Sequence, residues 1–287
     1  MIYPTSLVLE TVSVCNLRCP SCFVGRGMTT RIKTEPKLMP FEMVDKICTQ
    51  AESFGTVKVI YPYLWGEPTI HPEIGAIVRR VKRTAQVSLS THGMFVTEKL
   101  ADDLALVDAL SVSIDGLDQD TYSVYRVGGR FDDAMRGMKI LAARKKGVVW
   151  EWVVHKHNEH QLDDARALAE KLGVTFHPRK TLLIDETARV LLQPKSETWA
   201  RYEPGKTSPP REMRLGCREF WDVMYFYPSG DSGVCCYDYN VENRMGNINE
   251  QSLVDIWNGP AYTRMRENHQ AGNMADLCEN HCHMASF

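Results

Sequence analysis

The stretch SLVLETVSVCNLRCPSC (residues 6–22) joins an apolar, β-rich run to three cysteines, Cys15, Cys19 and Cys22. The run at 6–14 predicts a buried β-strand, so the cysteines fall in the loop that follows it. Three thiolates at this spacing can surround one corner of a metal centre, because a loop turns more tightly than a straight strand. The sequence therefore predicts a strand that ends in a metal-binding loop.

Strand-like runs recur further along the chain and alternate with helix-like segments. The runs are 6–14, 56–64, 85–91, 107–114, 148–155 and 174–180. Several of the helix-like segments end at a glycine, namely Gly55, Gly147 and Gly173, as helices commonly do. Six right-handed βα units favour a parallel sheet but are too few for eight-stranded closure. We therefore expect an α/β fold with a partial (β/α)6 TIM-like barrel.

The sequence pattern changes after about residue 185, and this change predicts a domain boundary. Residues 186–212 are rich in proline and charge, as is typical of a connector. Beyond them, VMYFYPSGDSGVCCYDY (223–239) suggests a hairpin, and short helices are expected around SLVDIWNG and AYTRMREN. The predicted organisation is a barrel core at 1–185, a connector at 186–212 and a smaller domain at 213–287.

Composition excludes several classes of protein. Hydrophobic residues make up 44% and charged residues 24% of the 287 residues, and no apolar run is long enough to cross a bilayer. The 34 Lys and Arg residues nearly balance the 36 Asp and Glu residues, so there is no electrostatic footprint for nucleic acid. The first residues lack the pattern of a signal peptide. We expect a cytoplasmic protein with no nucleic-acid or membrane partner.

The nine cysteines are clustered. Three form the front group, Cys48 stands alone in an amphipathic helix as an expected core residue, and five lie in the last quarter of the chain. Because the cytoplasm keeps thiols reduced, this clustering favours metal ligation or catalysis over disulfides. A structural zinc normally needs a fourth protein ligand, whereas a [4Fe–4S] cluster held by three cysteines leaves one iron open.

These residues resemble the radical S-adenosylmethionine (radical SAM) enzymes, whose signature is CxxxCxxC after the first strand. The match is CNLRCPSC, and YLWGEPTIHP (63–72), STHG (90–93) and SVSIDG (111–116) follow in the family's order at predicted strand ends. Each short match alone is weak, but four in order on a repeating βα frame are specific. The resemblance covers roughly residues 5–180 and implies a radical SAM [4Fe–4S] cluster, held by the three cysteines, together with S-adenosylmethionine.

The resemblance also assigns cofactor-binding positions outside the cysteine motif. They are Phe23, Gly66, Glu67, Pro68, Thr91, His92, Ser113, Asp115 and Arg126. In relatives the GEP element, which includes Glu67 here, binds the methionyl amino group. Positions matching Ser113 and Asp115 lie near the ribose. Arg126 in YRVGGRF stands where relatives often hold the methionyl carboxylate.

Two positions depart from the family's pattern. His92 replaces the Asn of the usual TNG element. Ser21 precedes the third cysteine, where relatives commonly have an aromatic residue that packs near the adenine. We expect Phe23 to take over that aromatic contact.

The C-terminal cysteines resemble those of the shortened SPASM module called twitch, which binds an auxiliary [4Fe–4S] cluster. The matching stretches are RLGCREFW, SGVCCYDY and LCENHCH. The ligands implied by the resemblance are Cys217, Cys235, Cys278 and Cys282.

Three alternatives stay open for this site. Cys236 could replace Cys235, which is preferred because it falls five residues after Gly230, as the ligand does in relatives. His281 or His283 could compete with the terminal cysteine pair, which is spaced CxxxC where CxxC is common. A zinc site built from four cysteines has the same sequence pattern.

The resemblance implies an enzyme that cleaves S-adenosylmethionine to a 5′-deoxyadenosyl radical and removes hydrogen from a C–H bond. Twitch-type relatives act on aminocyclitols and aminoglycosides, so the expected substrate is a small polar molecule of sugar, aminocyclitol or aminoglycoside type. Flavodoxin or ferredoxin is the expected electron donor. Loss of an electron and a proton would make the enzyme an oxidoreductase (a dehydrogenase). Return of a hydrogen atom by the catalytic thiol of Cys236 would make it an epimerase.

Two other functions compete with this one. The first is radical modification of a ribosomally made peptide. Many SPASM proteins that do this carry an N-terminal leader-binding domain, and strand one here starts by about residue 6, so we rank this function second. The other is a non-catalytic iron–sulfur protein for electron transfer, which would leave the ordered GEP, STHG and SIDG stretches unexplained. His155, His157 and Arg179 at predicted strand ends are candidates for substrate binding, although they are equally typical of surface residues.

Overall fold

A computed structural model describes residues 1–201, 216–273, 277, 278 and 282. Six parallel strands follow one another in the chain and form the barrel sheet. They are β1 (Ser6–Leu9), β2 (Val59–Tyr61), β3 (Gln86–Thr91), β4 (Ala109–Ser113), β5 (Val149–Val154) and β6 (Thr175–Lys180). The predicted α/β fold with a partial barrel is confirmed.

Helices cover the outside of this sheet. The helices that join the strands are α1 (Phe41–Glu52), α2 (Ile74–Thr84), α3 (Glu98–Leu104), α4 (Gln119–Tyr125), α5 (Phe131–Arg144) and α6 (Leu162–Leu172). In β3, Val87 and Leu89 are fully buried against this helical layer, whereas Ser88 and Ser90, which alternate with them, are half-buried. The two-residue period therefore sends aliphatic side chains outward to the helices and polar ones into the barrel.

The C-terminal part of the chain extends the same sheet. It contributes β7 (Val223–Phe226), β8 (Asp231–Gly233) and β9 (Gly246–Asn247), and the order of the described strands is β6-β5-β4-β3-β2-β1-β7-β8-β9. The predicted hairpin is present, because β7 pairs antiparallel with β8. β7 also pairs parallel with β1, from Ser6 opposite Val223 to Leu9 opposite Phe226. This second pairing was not predicted from sequence.

Helix α7 (Glu186–Leu192) was also not predicted, since it lies in the segment expected to be a connector. Asp185 caps it by accepting a hydrogen bond from the Ala188 N–H at 2.7 Å. Leu192 is fully buried beside Leu17 of the cysteine loop.

The remaining helices of the C-terminal part are α8 (Glu219–Asp222), α9 (Leu253–Trp257) and α10 (Pro260–Gln270). The proposed division at 1–185, 186–212 and 213–287 stays a prediction.

The first two strands of the structure are shorter than the sequence predicts, and each ends for a local reason. β1 ends at Leu9 because Val12 pairs with Leu38 in an isolated antiparallel bridge, which turns the chain away from the sheet. β2 ends at Tyr61, directly before Pro62, which has no N–H for a further ladder bond.

Among the described helices, none combines the length and apolarity needed to span a membrane.

Candidate active site

A cavity of about 410 Å³ opens at the carboxyl ends of the parallel strands. Its lining includes most of the residues that were predicted to bind the first cluster and S-adenosylmethionine: Cys15, Cys19, Cys22, Gly66, Glu67, Thr91, His92, Ser113 and Arg126. These residues come from four loops far apart in sequence, and the parallel sheet brings them together because all its strands end at one edge.

The three thiols of the cysteine loop are held in an environment that disfavours free thiolates. Burial raises the pKa of Cys15 to about 11 and that of Cys19 to about 12. Burial likewise raises the pKa of Cys22. The Leu17 N–H donates to Cys15 Sγ at 3.3 Å. Buried soft donors fit a cationic iron–sulfur cluster, because its positive charge would reverse the penalty that burial places on the thiolates.

Glu67 is held rigidly at the centre of the cavity wall. Its Oε1 accepts hydrogen bonds from Thr69 N at 3.0 Å and from Thr91 Oγ1 at 2.6 Å. Its Oε2 accepts from His92 N at 2.9 Å. Gly66 is required beside it, since a Cβ there would lie 1.9 Å from the Val12 carbonyl oxygen. The carboxylate is therefore fixed in position and presented to the cavity as a partner for an ammonium group.

His92 connects the end of β3 to the cysteine loop. Its Nδ1 accepts from the Met94 N–H at 3.1 Å, so the proton lies on Nε2, which donates to Asn16 Oδ1 at 2.8 Å. Burial lowers the pKa of His92, and the ring is therefore neutral at pH 7. An Asn in this place, as in the family's TNG element, would have a shorter side chain than the imidazole that makes this bond.

Arg126 and Asp115 form a buried ion pair beside the cysteine loop. Arg126 Nε donates to Asp115 Oδ2, and Asp115 is fully buried. Arg126 Nη1 lies 3.9 Å from Cys19 Sγ. Asp115 is not among the described residues that line the cavity. It therefore orients the Arg126 guanidinium and does not itself face the cavity. Pro68 is likewise outside that lining and opens the short 3₁₀ turn Pro68–Ile70, which Glu67 caps.

Phe23 differs from its predicted role as the adenine contact. It is 2% exposed and lies outside the described cavity lining. Its ring stacks on Tyr239 with a centroid distance of 4.1 Å and meets Trp65 edge-on at 4.7 Å. The structure thus places Phe23 in an aromatic cluster between the cysteine loop and the C-terminal hairpin, while Ser21 lines the cavity.

A second, smaller cavity lies in the C-terminal part. Its lining includes the four predicted auxiliary ligands, Cys217, Cys235, Cys278 and Cys282. Burial raises the pKa of Cys217 to about 12, as for the front cysteines. His281 and His283 lie outside the described residues.

A zinc ion and a cubane cluster require different arrangements of these thiols. Within the described ranges, no group of three or more His, Cys, Asp and Glu side chains is arranged to hold one metal ion. A zinc ion would need all four sulfurs about 2.3 Å from one point. A cubane distributes its ligands over four irons, so it accepts thiols that are spread around a cavity.

The two adjacent cysteines of the hairpin line different cavities. Cys235 lines the auxiliary cavity, whereas Cys236 lines the large cavity together with the front cysteines. The indole N–H of Trp65 donates to the Cys236 carbonyl oxygen at 2.6 Å. Burial raises the pKa of Cys236, with further contributions from Glu219, Cys282 and Cys217, so this thiol also lies close to the auxiliary group. The choice of Cys235 as the auxiliary ligand stays a prediction.

Several lining residues were missed or weakly indicated by the sequence. They are Tyr63, Trp65, Ser90, Glu151 and Lys180. A usable signal was present in QVSLST and ALSVS, where serine alternates with leucine or valine. Alternation on a strand covered by helices indicates that the inner barrel face is polar. Of the three candidates at strand ends, Arg179 lines the cavity, while His155 is buried behind it and His157 is exposed.

Two family models match this chain. The model of the radical SAM superfamily covers residues 9–169, and SPASM, an iron–sulfur cluster-binding domain, covers residues 217–283. The mycofactocin maturase MftC of Mycobacterium tuberculosis is 30% identical over 99% of this chain and 79% of its own.

Solved structures show the same fold. BtrN in complex with AdoMet and 2-DOIA has a TM-score of 0.62 and 20% identity, covering 98% of this chain and 94% of that one. Streptococcus suis SuiB bound to the precursor peptide SuiA has a TM-score of 0.69 and 18% identity, covering 93% of this chain and 67% of that one.

The two matched domains agree with the cofactors predicted from sequence. They imply a [4Fe–4S] cluster that binds S-adenosylmethionine and an auxiliary iron–sulfur cluster. The two cavities therefore do not require the alternative function, a non-catalytic iron–sulfur protein for electron transfer, as their explanation. The chain belongs to the radical SAM superfamily and carries a SPASM iron–sulfur domain in its C-terminal part.

Proposed function

We propose that this radical SAM enzyme inverts a carbon centre of a small polar substrate of sugar, aminocyclitol or aminoglycoside type. The observation that carries the proposal is the position of Cys236. Cys236 lines the large cavity together with Cys15, Cys19 and Cys22, whereas Cys235 lines the auxiliary cavity. A thiol in the reaction space that does not ligate a cluster is suited to return a hydrogen atom.

The polarity of the barrel interior supports a small polar substrate. Ser90 and Ser113 line the cavity, and Glu151 and Tyr63 line it further round the barrel. Burial raises the pKa of Tyr63 to about 12, so its phenol stays protonated and can donate a hydrogen bond. Hydroxyl, phenol and carboxylate groups would pair with the hydroxyl and amino groups of a sugar-like molecule.

The chemistry divides between the cofactors and the chain. When bound, the cluster and S-adenosylmethionine supply the carbon radical that removes one substrate hydrogen atom. The Cys236 S–H bond then breaks, and a C–H bond forms on the opposite face of the substrate carbon. The sulfur radical that remains takes one electron from a carrier of flavodoxin or ferredoxin type and one proton from solvent. The barrel walls exclude water while the substrate carbon is reactive.

The test uses anaerobically reconstituted enzyme, a reductant and a panel of aminocyclitols and aminoglycosides in D₂O. The expected product is an epimer with one deuterium, because the thiol hydrogen exchanges with solvent. Cys236→Ala should still form 5′-deoxyadenosine but no epimer. Cys48→Ala, which changes a buried core thiol, is the matched control and should retain the product. A full yield of epimer from Cys236→Ala would overturn the proposal, and a ketone or aldehyde product would favour a dehydrogenase.

Peptide modification is the second candidate, because SuiB has the same fold and was solved with its precursor peptide. The same deuterium assay separates the two. Under the peptide alternative, the aminocyclitols and aminoglycosides should remain unchanged, and a precursor peptide encoded near the gene should change in mass. Loss of 5′-deoxyadenosine formation in Cys15→Ala, Cys19→Ala and Cys22→Ala is expected for both candidates.

A further inference from the structure

A loop of the C-terminal part, residues 237–243, contacts the segment at residues 23–31, which follows the front cysteines. The Asn240 amide makes two hydrogen bonds to the backbone of that segment. Its Oδ1 accepts from the Thr30 N–H at 2.8 Å, and its Nδ2 donates to the Met28 carbonyl oxygen at 3.2 Å. One acceptor and one donor are required at these two places, so a single orientation of the amide satisfies both.

The 23–31 segment packs directly on the cysteine loop. The Arg26 N–H donates to the Cys22 carbonyl oxygen at 2.9 Å. A Cβ at Gly25 would lie 2.6 Å from the Cys19 backbone nitrogen and 2.7 Å from its carbonyl oxygen. Because the segment touches the backbone of two of the three front cysteines, a shift of the segment would move Cys19 and Cys22 as well.

The loop that carries Asn240 is held in one conformation by a buried carboxylate. Asp238 is 2% exposed, and its side chain accepts from the Glu242 N–H at 2.9 Å and from the Asn243 N–H at 3.2 Å. Val241 has φ of 56°, a conformation that few β-branched residues adopt. Such a conformation persists only where the surrounding contacts enforce it. The loop therefore presents Asn240 as a rigid support.

Two ion pairs anchor the same segment at other places. Arg26 pairs with Asp185, which caps α7, at 2.9 Å, and both side chains are partly exposed. Arg31 pairs with the fully buried Glu10. The Asn240 bonds reach the backbone between these two anchors. Loss of the Asn240 bonds should therefore free the middle of the segment while both anchors, and the fold, persist.

From these contacts we infer that Asn240 is a positioning residue for the front cofactor site. Asn240 is not among the described residues that line the large cavity, so it acts through the 23–31 segment. By this route the SPASM part holds Cys19 and Cys22 where the first cluster and S-adenosylmethionine bind. A site that is already ordered binds its ligand more tightly, because the binding step then orders less of the protein. The inference applies to both candidate substrates and does not depend on the hydrogen donor.

The test measures the dissociation constant of S-adenosylmethionine on reconstituted enzyme by anaerobic equilibrium dialysis. Asn240→Ala removes both bonds and should raise this constant at least five-fold, while the iron content stays at the wild-type value. Asn249→Ala is the matched control, because this exposed asparagine of the same part donates to the Ser229 carbonyl oxygen at 3.1 Å in the β7–β8 turn. The control should bind S-adenosylmethionine as tightly as wild type does.

Kinetics separate positioning from a general loss of folded protein. In 5′-deoxyadenosine formation, Asn240→Ala should raise the KM of S-adenosylmethionine by a similar factor, whereas partial unfolding would lower kcat per chain and leave KM unchanged. Asn240→Asp keeps the bond from the Thr30 N–H but loses the donor to Met28, so it should raise the dissociation constant in the same direction. This milder variant decides the question if Asn240→Ala loses iron. Wild-type affinity in an Asn240 variant that retains its iron would overturn the inference.

Discussion

At the scale of single residues, one hydrogen bond fixes the backbone of the proposed hydrogen donor. Trp65 lies in the loop after β2 and donates from its indole N–H to the Cys236 carbonyl oxygen at 2.6 Å. Its ring is held edge-on by Phe23, which in turn stacks on Tyr239. The loop that carries Glu67 therefore also positions the hairpin that carries Cys236.

Trp65→Phe should keep an aromatic ring in the cluster but lose this bond, which is worth about 1 kcal/mol. We expect 5′-deoxyadenosine formation to persist while the ratio of epimer to 5′-deoxyadenosine falls several-fold, because the Cys236 thiol is less well placed. Trp150→Phe is the matched control, since its indole N–H donates to the Ile114 carbonyl oxygen at 2.8 Å on the outer face of the sheet. An equal fall in that control would mean that the effect is only structural.

His155 makes the stability of the folded protein depend on pH. Its side chain is fully buried and lies 6.0 Å from the ring of Tyr125, and its Nε2 has no hydrogen-bond partner among the described residues. Burial, with smaller contributions from His157 and Arg126, lowers its pKa to about 3 from the usual 6.5. The folded state therefore holds this imidazole neutral.

Because the pKa of His155 is lower in the folded than in the unfolded state, the unfolded chain binds the extra proton between about pH 6.5 and pH 3. Its contribution to stability is present above pH 6.5 and is lost as the pH falls, by up to about 1.4 kcal/mol per pH unit. His155→Gln should flatten the decline in urea midpoint between pH 6.5 and 5. His160→Gln, at an exposed position nearby, should retain the wild-type decline.

At the scale of secondary-structure elements, helix α5 touches the backbone of the STHG turn. A Cβ at Gly137 would lie 2.0 Å from the Gly93 carbonyl oxygen. Gly93 itself has φ of 81°, a conformation that few residues other than glycine adopt. The two glycines therefore allow the helix to pack directly on the loop that holds His92 and Thr91 at the cavity.

Gly137→Ala tests this contact, because the close packing predicts a loss of stability whereas helix propensity predicts a gain. In an ordinary helix the change stabilises by about 1 kcal/mol. Here the methyl group meets backbone that cannot move without displacing the turn, so we expect a loss of about 1–3 kcal/mol by urea denaturation. At Gly75 of α2 the added methyl would meet only the Asp103 carboxylate, which can rotate away, so Gly75→Ala should cost less. A stabilised Gly137→Ala variant would contradict the close contact.

At the scale of the whole molecule, the barrel and the C-terminal part share one sheet and are joined by the side chain of Arg31. β7 pairs with β1 along its whole length. Beside that junction Arg31 pairs with the fully buried Glu10, donates from Nε to the Tyr239 carbonyl oxygen at 2.7 Å and lies over the Tyr227 ring at 4.5 Å. The relative position of the two cavities is thus set by backbone pairing and by one charge that joins both parts.

Arg31→Met should destabilise the protein by about 3–5 kcal/mol, because it leaves the Glu10 carboxylate buried without its partner. The urea unfolding midpoint is the measurement. Adding Glu10→Gln to this variant should recover part of the loss, since the buried charge is removed. Arg79→Met, which breaks an exposed pair with Asp103, should cost less than about 1 kcal/mol. A similarly small cost for Arg31→Met would show that the junction does not depend on the pair.

The local sequence pattern alone predicted the partial barrel, the family and the two groups of cysteines. The alternation of strand-like and helix-like runs predicted the partial barrel, since burial of one face imposes the same period on sequence and structure. The order of CNLRCPSC, GEP, STHG and SIDG predicted the family and its cofactors. The spacing of the cysteines predicted two separate groups of thiols.

Tertiary structure decided what depends on contacts between distant segments. Only the fold sends Cys235 and Cys236 to different cavities, moves Phe23 into the cluster with Tyr239, and pairs β7 with β1. No local pattern encodes these placements, because each depends on which distant backbone and side chains fill the space beside a residue once the sheet has closed.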